Sequence, residues 1–338
     1  MSEKYVFWLE ELGQEQKDLV GRKCANLGEM AKLGLPVPPG FALTVKACED
    51  FLEKTNAIEE IRNCLQRFEG SIGSIDQFNE ASKEIRQIVE SKEVPEPMKK
   101  TILSYYEDLC ERCGVEVAVS TRSAGPVSRP GQYETYLNVK GKHDLLEKII
   151  KVWASSFNPR SLTFRSQKAL PLERDPIGVA VLKMVNARAA GVVFTADPNT
   201  GDRTKMILEA NWGLGESVVS GELMPDTYIV DKESLRIRER KLGTKLKYIT
   251  FKQVGVVEEE TPIDKRSAFC LKDEEVAEVG RLAVTLEKHF GVPQDTEWAI
   301  DEDFPFPKNV ILLQTRGAVI AQKKSAVDQV VDLMLKRF

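Results

Sequence analysis

The sequence predicts a mixed α/β (α+β) fold, and three observations carry the prediction. Apolar residues recur at helical spacing through much of the chain before Gly114. From Val115 onward short β-rich runs, VEVAVSTRS, IGVAVLKMV, GVVFTA, KMILEAN and DTYIVD, are set apart by Gly, Pro, Asn and Asp. A chain of 338 residues, 42% of them hydrophobic, can bury a large core as one large domain or two lobes.

The first clear element is a helix over 23–34 that opens behind Gly21. The rigid turn Leu35-Pro36-Val37-Pro38-Pro39-Gly40 is expected to close it, because proline cannot continue the hydrogen-bond ladder. Three further helical patterns follow across roughly 44–113, the last with Met98, Ile102, Tyr105 and Leu109 at helical spacing and Gly114 as its stop. The β-rich runs come next, and a helix is predicted at 273–290 from Val276, Val279, Leu282, Leu286 and Phe290. DTEWAID and VILLQTR then read as two strands joined by EDFPFPKN, placed to form a hairpin. Residues from about 321 onward read as an amphipathic helical tail, and no internal repeat or low-complexity linker interrupts the chain.

Bulk chemistry excludes several classes of partner. Lys and Arg number 48 against 52 Asp and Glu, a net charge of −4, and no segment interleaves base with aromatics as a nucleic-acid groove does. The start, MSEKYVFWLEELGQEQ, carries acids where a secretory leader needs base and an apolar run, and no later stretch approaches a membrane span. A soluble, cytoplasmic protein is the expectation. The six cysteines are scattered, which argues for reduced thiols, and the Cys110/Cys113 pair lacks the companion ligands of a zinc site.

Four groups of residues have the chemistry of a phosphate and metal site. Asp295 and Glu297 are two apart, so on a strand both project from one face and can approach one divalent cation. Gln314 and Arg316 share that period on the next run, placing an amide and a permanent cation on one face. Spacing alone fits a solvated strand face with a surface ion pair as well. Lys23 stands in the first turn of a helix, where backbone N–H groups and the positive dipole end favour an anion, although the arrangement is no Walker motif. Arg122 sits where an apolar strand runs into Ser120-Thr121-Arg122-Ser123-Ala124-Gly125, small residues that let a ligand approach, and its guanidinium can clamp phosphate bidentately. Gly131-Gln132-Tyr133-Glu134-Thr135 adds a loop with a glycine and a hydroxyl. The Gly213-Leu214-Gly215 turn fits a nucleotide loop and a plain tight turn equally. Only two histidines occur, His143 and His289, and neither has the small hydroxyl neighbours of a phosphate carrier.

Taken together, these stretches resemble the ATP-grasp nucleotide-binding domain shared by phosphoenolpyruvate synthase (pyruvate, water dikinase), pyruvate phosphate dikinase and rifampin phosphotransferase. The likeness covers about residues 5–320 and rests on ordered blocks: GRKCANLGEMAKLGLPVPPGFALT, STRSA, GQYETYLNV, VWASSFNPRSLTFR, GVVFTADPNTG, EANWGLGESVVSGELMPDTYIV, DTEWAID and LLQTR. It implies an ATP-grasp fold of two lobes with ATP in the cleft between them: residues 1–178 carrying Lys23 and Arg122, 179–320 carrying the adenine hinge and the metal carboxylates, and a tail over 321–338.

The resemblance also implies roles. Lys23 and Arg122 bind ATP phosphates, and Gly131 and Thr135 belong to the loop that closes over them. Val181 to Val185, with Leu182, Lys183, Met184 and Val185 as contacts, form the hinge edge against adenine. Asp295 and Glu297 hold Mg²⁺, and Gln314 and Arg316 complete the metal and phosphate site; Lys23, Arg122, Glu297 and Arg316 are the catalytic set. Leu182 stands where relatives usually carry Gln, and the loop after Arg122 reads SAGPVSRP without the acidic stretch usual in the family. Family members continue into a domain whose histidine accepts phosphate from ATP. The resemblance therefore implies a separate subunit that carries this histidine and the acceptor site. Such split systems include phenylphosphate synthase, which makes phenol the leading acceptor, with pyruvate as the alternative acceptor and a non-catalytic ATP sensor as the alternative function.

Overall fold

The computed structural model describes residues 4–68, 74–125, 133–219, 224–253 and 255–320. Gly131 and the tail from 321 lie outside the described residues. The described chain divides into two compact units, one ending at Val185 and taking in Phe251–Val257, the other comprising Asn186–Thr250 and the residues from Glu258. The division falls after Val185 and not at 178, because the strand Gly178–Lys183 belongs to the first unit's sheet.

The first unit is built on five antiparallel strands, β1 (Val6–Trp8), β2 (Gly40–Leu43), β3 (Val119–Ala124), β4 (Thr135–Val139) and β5 (Gly178–Lys183), in the order β1-β2-β5-β3-β4. Alternation sends Phe41, Leu43, Val119, Val179 and Val181 to one face, where they join the core of helices. That core includes Phe51 and Trp153, whose ring centroids are 4.8 Å apart. Each such fully buried aromatic contributes about 1.5–3 kcal/mol. Four helices, Val45–Lys54, Ala57–Gln66, Ile75–Glu90 and Glu96–Cys113, occupy the span in which the periodicity suggested three. Asn56, in the left-handed region with φ 60°, breaks the first two apart. In the last of them Tyr106 is buried, while Tyr105 packs its ring on Trp8 and Phe41.

The helix Arg22–Lys32 ends before the prolines. Gly34 has φ 68°, its N–H reaches the Ala31 carbonyl at 3.0 Å, and the Leu35 N–H reaches Met30 at 3.0 Å, a Schellman stop. Two helices escaped the periodicity reading, Lys142–Ala154 and Pro159–Gln167. The second begins on an Asn-Pro signal: the Asn158 side chain accepts the Ser161 N–H at 2.8 Å and Pro159 occupies the first helical position. His143 is an exposed residue in the first turn of Lys142–Ala154.

The second unit's sheet contains β6 (Ala187–Phe194), β7 (Lys205–Trp212), β8 (Asp226–Asp231) and β9 (Ile237–Lys241). A ribbon follows, β10 (Lys247–Phe251) with β11 (Val256–Glu260), and then β12 (Gln294–Asp301) and β13 (Val310–Gly317) return to the sheet. Its order is β13-β12-β6-β7-β8-β9, antiparallel throughout. The predicted helix forms as Asp273–Phe290 and buries Val276, Val279, Leu282 and Leu286. A fully buried ion pair joins Asp226, at the start of β8, to Lys245 beyond β9. Asp226 also accepts the Gly243 N–H at 2.8 Å and the Cys270 N–H at 2.9 Å, so one carboxylate pins the loop after β9 and the approach to the long helix. The Gly213 turn has a packing role: its N–H donates to Arg188 at 2.9 Å and the next N–H donates to Ile249 at 2.8 Å.

Candidate nucleotide site

In the first unit, strand register gathers most of the expected phosphate ligands. Arg122 on β3 lies directly opposite Thr135 on β4 and Ala180 on β5, so the guanidinium and the hydroxyl leave the sheet on the same side. Thr135 is held from behind. Its neighbour Glu134 is gripped by Arg86 of the helix Ile75–Glu90 through two bonds of 2.6 and 3.0 Å, and Tyr136 donates its hydroxyl to the same carboxylate. A bidentate pair between residues 48 apart has no signature in the sequence.

Lys23 comes to the same place through Gly21. The Arg22 N–H donates to the Gly125 carbonyl at 3.2 Å, fastening the helix start to the end of β3. Lys23 and Arg122 are both close enough to Cys24 to act on its thiol, which burial pushes up to about 12 against the pull of these two cations. Two half-buried cations beside a helix N-terminus form an anion-binding arrangement. Gly21 makes it possible: φ is 82°, and a Cβ there would stand 2.1 Å from the Ala124 carbonyl oxygen. Gly21→Ala is expected to cost about 1–3 kcal/mol and to weaken ATP binding by pushing Lys23 away from Arg122. Urea unfolding with nucleotide titration reads both effects, and an unchanged variant would remove Gly21 from this role.

Residues 182–185, expected to form the hinge as part of the second lobe, lie in the first unit. Leu182 and Lys183 close β5, where Leu182 lies opposite Ser120 and Gly40. Lys183 and Met184 have their amide N–H groups committed at 2.9 Å, to Pro39 and Ala118 respectively, and Val185 is buried. A base at these two positions would therefore be read by carbonyl oxygens or side chains and not by those N–H groups.

In the second unit the expected hairpin forms, and its register pairs the four polar residues in twos. Asp295 faces Arg316, and Glu297 faces Gln314. Arg316 donates to Asp295 Oδ2 through Nε at 2.8 Å and through its terminal nitrogen at 2.7 Å; Gln314 donates to Glu297 Oε1 at 3.1 Å. On the opposite face the Thr296 and Thr315 hydroxyls meet at 2.8 Å, and Thr315 donates to Gln294 at 2.9 Å. This buried hydroxyl chain fixes the register, because a one-residue slip would exchange it with the carboxylates. Among the described residues no group of three or more His, Cys, Asp or Glu is arranged to hold a metal. The pair fits Mg²⁺ all the same, since that ion takes one or two carboxylates and completes its shell with phosphate oxygens and water.

Burial pushes the Asp295 carboxyl up, and the Arg316 cation offsets this only in part. A carboxyl raised on folding adds stability below its unfolded pKa and loses that contribution as pH rises through the folded value. At neutral pH ionised Asp295 therefore costs stability. Asp295→Asn is expected to melt a few degrees higher than the unliganded parent at neutral pH, with the gap closing on acidification, while Mg-ATP binding weakens. A melting-temperature series across pH checks the sign.

Sequence comparison identifies what this arrangement belongs to. Residues 17–337 match the family described as pyruvate phosphate dikinase, AMP/ATP-binding domain. The chain belongs to that family. Helices with two antiparallel sheets agree with the ATP-grasp-like fold of the pyruvate phosphate dikinase nucleotide-binding domain. Similar relatives include a probable phosphoenolpyruvate synthase of Staphylothermus marinus, 38% identical over 93% of this chain and 41% of its own length. Another, of Methanocaldococcus jannaschii, is 37% identical over 89% of this chain and 26% of its own. The phosphoenolpyruvate synthase of Aeropyrum pernix is 34% identical over 96% and 43%. The chain thus spans less than half the length of these relatives. Membership makes it an AMP/ATP-binding domain of dikinase-type phosphotransferases. Among the described residues no helix is long and apolar enough to cross a membrane.

Proposed function

We propose that this chain binds Mg-ATP and performs the first half of a pyruvate, water dikinase reaction, phosphorylating a histidine carried on another polypeptide. Pairing of Asp295 with Arg316 and Glu297 with Gln314 on β12 and β13 carries the reading. It brings two carboxylates, a cation and an amide together on one strand pair. Asp295 and Glu297 would hold the ion, which would supply charge neutralisation when bound. Lys23 and Arg122 clamp phosphate oxygens, and Thr135 supplies a hydroxyl donor beside them. Arg316 orients Asp295 and offers positive charge to the phosphoryl group in flight. These side chains supply positioning and charge, which is most of what phosphoryl transfer needs.

The acceptor we propose is pyruvate and not phenol, because the similar relatives are named phosphoenolpyruvate synthase. The full reaction would be ATP, pyruvate and water giving phosphoenolpyruvate, AMP and phosphate, with the histidine and the pyruvate site on the partner. Neither His143 nor His289 is the carrier on this reading, since neither has the small hydroxyl neighbours of a phosphate carrier. The test uses ATP labelled at the β-phosphorus, Mg²⁺ and a lysate of the source organism. Acid-labile label on a second polypeptide, with AMP release that pyruvate increases, is expected. Release that phenol increases would restore phenol as the acceptor. Neither label nor AMP would leave an ATP sensor.

A further inference from the structure

The face of the second sheet that carries Asp295 and Glu297 continues past β12. Glu297 lies opposite Val192 on β6, Val192 opposite Glu209 on β7, and Glu209 opposite Thr227 on β8. Directly opposed residues leave a sheet on the same side, so Glu209 and Glu297 share a face. Burial along β7 agrees: Met206, Leu208 and Ala210 are buried, while Ile207 and Glu209 are half-buried. Two strand spacings, about 10 Å, separate the two carboxylate positions. The floor between them is Val192, and Phe194 and Ile207 occupy the adjoining row.

Glu209 differs from the other two acids on this face. Asp295 is held by Arg316 and Glu297 by Gln314, but Glu209 has no hydrogen-bond or ion-pair partner among the described residues. Burial alone pushes its carboxyl up. A half-buried acid without a partner costs stability, and nothing in its packing requires a carboxylate there.

We propose that Glu209 selects the nucleotide by accepting hydrogen bonds from the ribose hydroxyls of an ATP whose phosphates sit at Asp295 and Glu297. The inference rests on the nucleotide reading of the β12–β13 hairpin. Because β13 is the edge strand, a nucleotide anchored there finds sheet beneath it only toward β6 and β7. Two strand spacings, about 10 Å, are roughly the reach from a nucleotide's β-phosphate to its sugar. A vicinal diol offers two O–H donors to one acceptor-only carboxylate, the chemistry by which an acidic residue reads ribose. A phosphate sliding toward β7 would meet like charge, so the same residue also sets the direction in which the nucleotide lies.

The test titrates Mg-ATP and Mg-2′-deoxy-ATP against the parent protein and Glu209→Ala. The parent is expected to bind ATP about tenfold more tightly than the deoxynucleotide. The variant should lose about that factor for ATP and little for 2′-deoxy-ATP, so that the two affinities converge. Loss of a partnerless buried charge should leave the fold intact, and Glu209→Leu, which keeps the bulk without an acceptor, gives the same comparison if the alanine variant is unstable. Equal weakening of both nucleotides, or no change in either, overturns the role of Glu209 while the nucleotide site stands. A parent protein that binds neither overturns the nucleotide reading and this inference with it.

Discussion

Glu297→Ala should reduce ATP-dependent transfer to the acceptor histidine proposed above by about 1,000-fold or more while leaving the fold intact. The carboxylate is half-buried, accepts one bond from Gln314 at 3.1 Å and points to the open face of the sheet, so its removal opens no cavity in the core. Without it, one of the carboxylates proposed to hold the ion is lost, while Asp295 keeps its contacts to Arg316 on a single oxygen, Oδ2. The loss should appear in turnover more than in ATP affinity, because charge neutralisation matters most in the transition state. Single-turnover transfer with circular dichroism of the variant measures the two separately. A folded Glu297→Ala protein with near-parent transfer would refute the metal assignment.

Lys245→Met should destabilise the second unit by about 3–5 kcal/mol. Both partners of the Asp226–Lys245 pair are fully buried, so removing the ammonium leaves a carboxylate in the interior with two N–H donors and no countercharge. Its consequences are local to what Asp226 ties down: the Gly243 turn and the Cys270 backbone that leads into Asp273–Phe290. The double variant Asp226→Asn with Lys245→Met should recover much of the loss, since neither charge is then stranded. Urea unfolding of the four proteins of this cycle gives the coupling. Additive losses would mean that the pair does not act as a unit.

Both results bear on how much could be read before the structure. The β12–β13 hairpin and its polar face were legible because a strand has a period of two: Asp295 with Glu297, and Gln314 with Arg316, each fall on one face whatever surrounds them. The start of the helix carrying Lys23 was legible because Gly21 announces it; its end was misplaced because Gly34 stops the ladder before any proline does. The helix Lys142–Ala154 and the Asn56 break depend on local backbone choices that weak periodicity does not resolve. Residues 182–185, expected in the second lobe, fall in the first unit, because a sequence shows that 178–183 is a strand but not which sheet it joins.

By itself, then, the sequence determined the mixed fold, the strand faces that carry Asp295, Glu297, Gln314 and Arg316, and the small-residue approach to Arg122, all of which follow from spacing along the backbone. Tertiary structure alone decided which residues stand opposite one another: Arg122 with Thr135, Asp295 with Arg316, Val192 between Glu297 and Glu209, Asp226 with Lys245. The physical reason is that side-chain direction is a property of the local backbone, whereas pairing depends on sheet order and register. Those are set by burial and hydrogen bonding summed over distant parts of the chain.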